Sequence, residues 1–242
     1  MSACGRAGKG FAQSKLQGIV YYESRYSEKK INDYFSKKRD SIKTNKQIKL
    51  MDNLLLKSKK TKSTLKFSTN QAIYSVDKKL DIDNHGGLAE KFSLLSAGGS
   101  NMYYTNSQTE TLDIQNCETL DECFIIKSNF KKWQLTQETK KISGYVCYKA
   151  LRTVKSKKRN FVIEAWYTPS IPANFGPKGE CGLPGLILEV ENGTINFKAT
   201  KIILNPKEKV KVLKPTKGNI VSEEEFQVLI KKASDNIFDK RN

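Results

Sequence analysis

The sequence predicts a mainly β, α+β fold: a curved antiparallel sheet or partial barrel, with an internal helix and a C-terminal amphipathic helix packed on it. Three observations predict it. Short runs in which apolar and polar residues alternate recur along most of the chain and clearly outnumber segments with helical period. Hairpin-length links separate many of these runs, with Thr69-Asn70 and Asn192-Gly193 as the sharpest, and such links favour antiparallel pairing. The period then changes after Ser222, where Phe226, Leu229, Ile230, Ala233 and Ile237 form one apolar stripe at helical spacing.

In chain order, Gly18 to Glu23 is a β-rich run bounded by polar residues and reads as the first strand. Glu28 to Lys60 is charged throughout, yet Ile48, Met51, Leu54 and Leu55 recur at helical spacing, which predicts the internal helix. Thr64 to Ser68 and Ala72 to Val76 alternate around Thr69-Asn70 as a hairpin. Asp81 to Gly99 is the least regular stretch and reads as a loop, followed by short strands at Met102 to Thr105, Thr111 to Gln115, Cys123 to Lys127 and Trp133 to Thr136. Tyr145 to Thr153 and Phe161 to Tyr167 are longer, and Leu186 to Glu191 with Thr194 to Ile203 flank Asn192-Gly193. Ser222-Glu223-Glu224-Glu225 is a capping box that opens the last helix, the Ser oxygen meeting an amide three residues on and Glu225 reaching back.

The 242 residues are enough for one sizeable core, and a single domain over residues 14–242 is expected. Residues 1–13 are set apart: Phe11-Ala12-Gln13 resembles the tail of a signal peptide cleaved near Gln13, although Met1 to Gly10 has no hydrophobic stretch. No run approaches the length of a membrane-spanning helix. The net charge of +18 raises polyanions as partners. The cations are overwhelmingly Lys, however, with Arg only at positions 6, 25, 39, 152, 159 and 241, whereas direct base readout favours the bidentate fork of Arg. A solvated basic face is the first reading of the Lys clusters, an anionic envelope surface or polyanion the second, and no specific nucleic acid is expected.

Four of the six prolines fall in the stretch from Ala165 to Glu189, which joins two predicted strands. Alternating Pro and Gly cannot continue a ladder, so the chain there takes one defined looping path. Its apolar Trp166, Tyr167, Ile171, Phe175, Leu183 and Leu186 argue for order. The loop reads either as a shaped scaffold corner or as a binding rim, the latter built from Trp166, Tyr167, Pro169, Pro172, Phe175, Gly182, Leu183, Pro184, Gly185 and Leu186.

These residues also carry a family resemblance. Trp166-Tyr167-Thr168-Pro169 with Ile171-Pro172, then Gly176-Pro177, then Gly182 to Glu189 (Gly-Leu-Pro-Gly-Leu-Ile-Leu-Glu) resemble the signature of the GLPGLI family, and Trp133-Gln134-Leu135, Glu138 to Cys147 and Lys149-Ala150 fit the same pattern. The match is close over residues 133–190 and loose over most of residues 15–235. Where the family often has Gly before Gly-Leu-Pro-Gly, this chain has Cys181. The resemblance implies an exported protein of Gram-negative bacteria, periplasmic or outer-membrane-associated, with no assigned catalytic residues.

Catalytic and metal chemistry find little support. His85 is the only histidine and lies in a loop-like stretch without a nucleophile motif; the same stretch, Asp81 to Gly87, has calcium-loop spacing but carries Phe92 where a bidentate Glu would close the site. Zinc-type Cys spacing is absent, so neither a metal nor a cofactor is expected. In an oxidising compartment Cys117 pairs with Cys123 around a loop, and Cys147 with Cys181 across two framework segments; the alternative is that Cys147 and Cys181 are small buried hydrophobes. Glu164 and Glu189, on strands either side of the Pro/Gly loop, form the one carboxylate pair placed for acid/base work.

The expected function is a non-catalytic cell-envelope protein that binds an apolar ligand or another envelope protein, as an accessory to an outer-membrane system. Alternatives are a periplasmic carrier of lipid or lipoprotein, by fold-level analogy, a structural surface protein, and a hydrolase using strand carboxylates. An accessory is expected to show a flat apolar patch around Trp166, Tyr167, Leu183 and Leu186.

Overall fold

A computed structural model describes residues 16–27, 31–32, 36, 46–77, 87–155 and 160–239. The expected leader, Cys4 and the His85 stretch lie outside the described residues. Twelve strands form one sheet: β1 (Gln17–Tyr26), β2 (Thr61–Ser68), β3 (Gln71–Val76), β4 (Met102–Asn106), β5 (Thr111–Asn116), β6 (Phe124–Asn129), β7 (Gln134–Ile142), β8 (Tyr145–Val154), β9 (Phe161–Thr168), β10 (Leu186–Asn192), β11 (Ile195–Leu204) and β12 (Asn219–Ser222). The order across the sheet is β12-β6-β5-β4-β3-β2-β1-β11-β10-β9-β8-β7. Every pair is antiparallel except β12 with β6, which is parallel because a long connection returns the chain to that edge.

The sheet is strongly curled, and its connectivity requires this. β6 and β7 are the second and twelfth strands of the order, yet only residues 130–133 join them. A flat sheet would set them about 48 Å apart at the usual strand spacing. Five extended residue steps reach only about 18 Å. The two ends of the sheet therefore curve toward one another and leave a seam crossed by Phe130 to Trp133. This is the open, partial-barrel form that the hairpin pattern predicts.

Three helices bounded within the described residues accompany the sheet: α1 (Lys46–Leu56), α2 (Leu88–Ala97) and α3 (Glu223–Asp239). α2 corrects the expectation of a loop over Asp81 to Gly99. Its signal was present in the helix-forming run Leu88-Ala89-Glu90-Lys91 and in Gly98-Gly99 as a stop, with Gly98 in the left-handed half of backbone space at φ 135°. The Tyr74 hydroxyl donates to the Ala97 carbonyl at 2.9 Å and ties the end of α2 to the sheet. α3 opens with the predicted capping box: the Glu225 amide donates to Ser222 Oγ at 3.1 Å, and the Ser222 amide donates to Glu225 Oε2 at 2.7 Å. Phe226 then packs on Phe124 with ring centroids 5.4 Å apart, which docks the helix on β6.

The core lies on the hollow face and is completed by the Pro/Gly connection between β9 and β10. Val20 and Tyr22 of β1, Leu65 and Phe67 of β2, and Ala72 and Tyr74 of β3 line the hollow, and Ile171, Ala173 and Phe175 fill it. Phe175 meets Phe67 at 6.2 Å between centroids. The connection also joins the backbone network: Leu186 N–H donates to Ile171 C=O and Ile187 N–H to Phe175 C=O, both at 2.9 Å. Having no regular ladder of its own, it borrows that of β10.

Candidate functional site

The residues singled out around the Pro/Gly loop are brought together, but mostly inside. Trp166, Tyr167, Phe175, Leu183 and Leu186 are all buried, and Leu183 and Leu186 expose nothing. Gly185 is buried as well, while Pro169, Pro172, Gly182 and Pro184 are at the surface. The apolar members therefore fill the core, where an exposed patch around Trp166, Tyr167, Leu183 and Leu186 was expected. Alternation puts Trp166 and Tyr167 on opposite faces of β9, so both sides of that strand are covered.

The cysteines divide. Cys117 and Cys123 form a disulfide that closes the link between β5 and β6. Cys147 and Cys181 are free and buried, which corrects the expected bridge between them. Their surroundings differ: Cys147 lies by Ile142, Lys140 and Glu189, whereas Cys181 lies by Glu180, Arg152 and Lys131. Burial pushes the Cys147 thiol up to about 11 and raises that of Cys181 further, so both remain protonated, as small apolar core groups do.

The carboxylates Glu164 and Glu189 are both held by lysines. Glu164 accepts from Trp166 Nε1 at 2.8 Å and pairs with Lys149 at 3.1 Å; Glu189 pairs with Lys140 at 3.1 Å and accepts from Asn196 Nδ2 at 3.0 Å. Lys140 Nζ stands 4.2 Å from the centre of the Trp166 ring, a cation–π contact that closes the ladder. A general acid needs a carboxyl held protonated, and Glu164 is the opposite. Burial pushes it upward, but the hydrogen bonds from Trp166 and Lys149 and the charges of Lys149 and Lys140 outweigh this and hold it below the usual range. A depressed carboxyl stabilises the fold above its unfolded pKa, and that contribution is lost as pH falls through the folded value. Acidifying the native protein from pH 5 to pH 3 should therefore shift the tryptophan emission as Trp166 loses its charged acceptor. Glu164→Gln should lack that transition; an identical titration in the variant would rule the ladder out as its source.

The opposite face of β2 to β5 carries the more open site. After β11 the chain continues as a strap, residues 205–218, which has no ladder partner and crosses this face. Three contacts anchor it. Asp113, almost fully buried on β5, pairs with Lys127 at 2.7 Å and with Lys214 of the strap at 3.1 Å. Gln115 Nε2 donates to the Lys217 carbonyl at 2.6 Å, and the Val210 amide donates to Gln17 Oε1 at 2.9 Å. The hydrogen bond to Asp113 also raises the pKa of Lys214 and holds its charge against Tyr104, whose ring centre lies 5.6 Å away.

Between strap and sheet lie two grooves of about 500 and 540 Å³. Lys211 and Leu213 line both, so the two grooves adjoin at these residues of the strap. Thr64, Ser75 and Gln115 supply hydroxyl and amide groups to one, and Asn70, Gln71 and Asn106 to the other. Lys66, Lys209, Lys211, Lys214 and Lys217 supply five cations, and among the described residues neither groove is lined by an acid. Sequence reasoning missed this site because Lys209 to Lys214 alternates like a strand yet pairs with none. The available signal was the bracketing of the basic run by Pro206 and Pro215.

Residues 93–227, more than half of the chain, match the model of the N-glycanase peptide, N-terminal domain family. The chain belongs to that family. The matched span runs from α2 through β12 into α3, so it includes the Pro/Gly connection, the anchoring Asp113 and the strap. No curated protein matches the chain. Among solved structures, that of PNGF-II in space group C2 aligns with a TM-score of 0.51 at 16% identity, covering 90% of this chain and 33% of that one. PNGF-II in space group P21 gives a TM-score of 0.47 at 18% identity, over 90% and 34%. This N-glycanase-type domain thus spans about a third of the length of the solved chain it resembles, and the likeness is one of fold.

Proposed function

We propose that the chain is a non-catalytic binding module of an exported, envelope-associated protein, and that its ligand is an acidic glycan lying along the strap grooves. The observation that carries this reading is the lining itself: five lysines interleaved with hydroxyl and amide groups, of which, among the described residues, Lys214 alone is held by an acid, Asp113, behind the groove. A polyanion there gains charge-assisted hydrogen bonds along its length, and each groove has the volume of a ligand site. The net charge of +18 draws the same class of ligand toward the surface. The family name refers to a glycanase, which favours a glycan over other polyanions. Export is supported by the Cys117–Cys123 disulfide and by the resemblance to the GLPGLI family. Among the described residues no helix is long and apolar enough to cross a membrane. The pairing of Glu164 and Glu189 with lysines speaks for binding over strand-carboxylate hydrolysis.

A second reading has its own observation. Leu213 is 74% exposed in the middle of the strap, beside Ile73 and Met102, so an apolar ligand or another envelope protein has a foothold in the same groove. One titration separates the two. Binding of polygalacturonate, of neutral dextran and of duplex DNA is measured by calorimetry with the wild type and with Lys209→Gln/Lys211→Gln, two lysines outside the anchoring contacts. The glycan reading expects polygalacturonate to bind and each lost lysine to weaken it about tenfold, the worth of one charge-assisted hydrogen bond. Equal binding of DNA would reduce the site to a general polyanion surface. No polymer binding, with partner capture lost on Leu213→Asp, would favour the second reading.

A further inference from the structure

The seam of the curled sheet holds a separate cavity of about 130 Å³ on the hollow face, with Leu112 in its lining, whereas the strap is anchored through Asp113 on the other face of β5. Lys131 enters it from the link that crosses the seam, Arg152 from β8, Lys178 and Glu180 from the Pro/Gly connection, and Glu223 from the first turn of α3. Two ion pairs are already made. Lys131 and Glu223 meet at 3.1 Å at the rim, where both are partly exposed, and Arg152 and Glu180 meet inside.

The third cation, Lys178, feels the charge of Glu180, but that carboxylate is paired with Arg152. Lys178 Nζ donates to the Ser96 carbonyl at 2.8 Å and forms no ion pair among the described residues, which leaves two of its three donors free for other acceptors. Arg152 is also incompletely used: its guanidinium stacks 4.9 Å from the Trp133 ring centre and binds Glu180, but its buried Nε has no partner among the described residues. Three cationic side chains and two carboxylates thus line one small cavity, open at the Lys131–Glu223 rim. The backbone goes out of its way to place one of them, since Lys178 sits between Pro177 and Gly179 at φ 53°, a left-handed conformation that a side chain disfavours. Burial lowers the pKa of Lys178 and the charge of Glu180 offsets this only in part, a penalty that a bound anion would relieve further.

From this geometry we infer that the seam cavity binds a small oxyanion, a carboxylate or a phosphate group, between Lys178, Arg152 and Lys131. The volume admits a headgroup and excludes a polymer, so the inference is independent of the strap grooves. Thermal unfolding of the full chain in sodium phosphate or sodium acetate, against chloride at matched ionic strength, tests it. A saturable rise in Tm is expected, as for any ligand selective for the native state. Lys178→Met keeps the volume and should abolish the rise. Lys131→Gln, at the exposed rim, should weaken the anion about tenfold. Lys209→Gln/Lys211→Gln should leave the rise unchanged, so failure here and failure at the strap are distinguishable. A rise with both anions identifies any oxyanion as sufficient, and a rise with phosphate alone identifies a phosphate site. No saturable rise with either anion, or an undiminished one in Lys178→Met, overturns the inference. Should Lys178→Met fail to fold, Lys131→Gln decides alone, an unchanged affinity overturning it.

Discussion

Phe175→Ala should lower the unfolding free energy by about 3–5 kcal/mol, the range for deleting a fully buried aromatic side chain. Total stability for a domain is about 5–15 kcal/mol, so this one change removes a large share. The reason is position. Phe175 is 1% exposed, packs on Phe67 from the middle of the Pro/Gly connection, and its carbonyl accepts from Ile187 on β10. A cavity left there cannot collapse without moving the connection and β10 together, since Phe175 is tied to β10 through its carbonyl. Urea unfolding followed by circular dichroism measures the loss, with Leu213→Ala on the exposed strap as the comparison. If Phe175→Ala lost no more than Leu213→Ala, the connection would not be the plug of the core.

Gly185→Ala should be worse still and should prevent stable folding or cost more than about 5 kcal/mol. Gly185 closes the connection just before β10 at φ 154°, a region essentially reserved for glycine. A Cβ there would lie 2.2 Å from the Thr168 carbonyl oxygen, at the end of the strand β10 pairs with. Backbone on both sides is held by the ladder, so neither atom can give way cheaply. Gly144 supplies the control. It too has a positive φ, 85°, in the β7–β8 turn, but nothing lies within 4 Å of its Cβ position. Gly144→Ala should therefore show only left-handed strain, about 1–2 kcal/mol. Equal unfolding midpoints for the two variants would mean that the Thr168 contact carries no weight.

The comparison of these two glycines shows where sequence reading stops. Both are Gly in turn-like settings, and only the packing of β9 against the connection tells that one tolerates a methyl group and the other does not. The same limit applies to the loop residues as a group. Their aromatic and aliphatic character announces that they are ordered, but either a rim or a plug satisfies it, and the curl of the sheet decides for the plug.

The carboxylates make a similar point about chemistry. Glu164 and Glu189 fall on neighbouring strands in the sequence reading and do so in the structure. What their alternation does not convey is that Lys149 and Lys140 stand across from them, because those partners come from β8 and β7 through strand register. For the seam cavity no local signal existed at all: Lys131, Arg152, Lys178 and Glu223 are scattered over the chain and meet only because the sheet curls.

By itself, then, the sequence determined what short-range physics controls: period-two alternation for the strands, Asn192-Gly193 for a tight hairpin, the Ser222 and Glu225 exchange for the start of α3, and the Cys117–Cys123 pairing across a short link. Only the tertiary structure decided where the end of α2 docks on the sheet, that the Pro/Gly connection lies inside, and that a strap without a ladder makes the open grooves. Each of those rests on contacts between residues far apart in the chain, such as Tyr74 with Ala97, Phe67 with Phe175 and Asp113 with Lys214, and local propensity carries no information about contacts of that range.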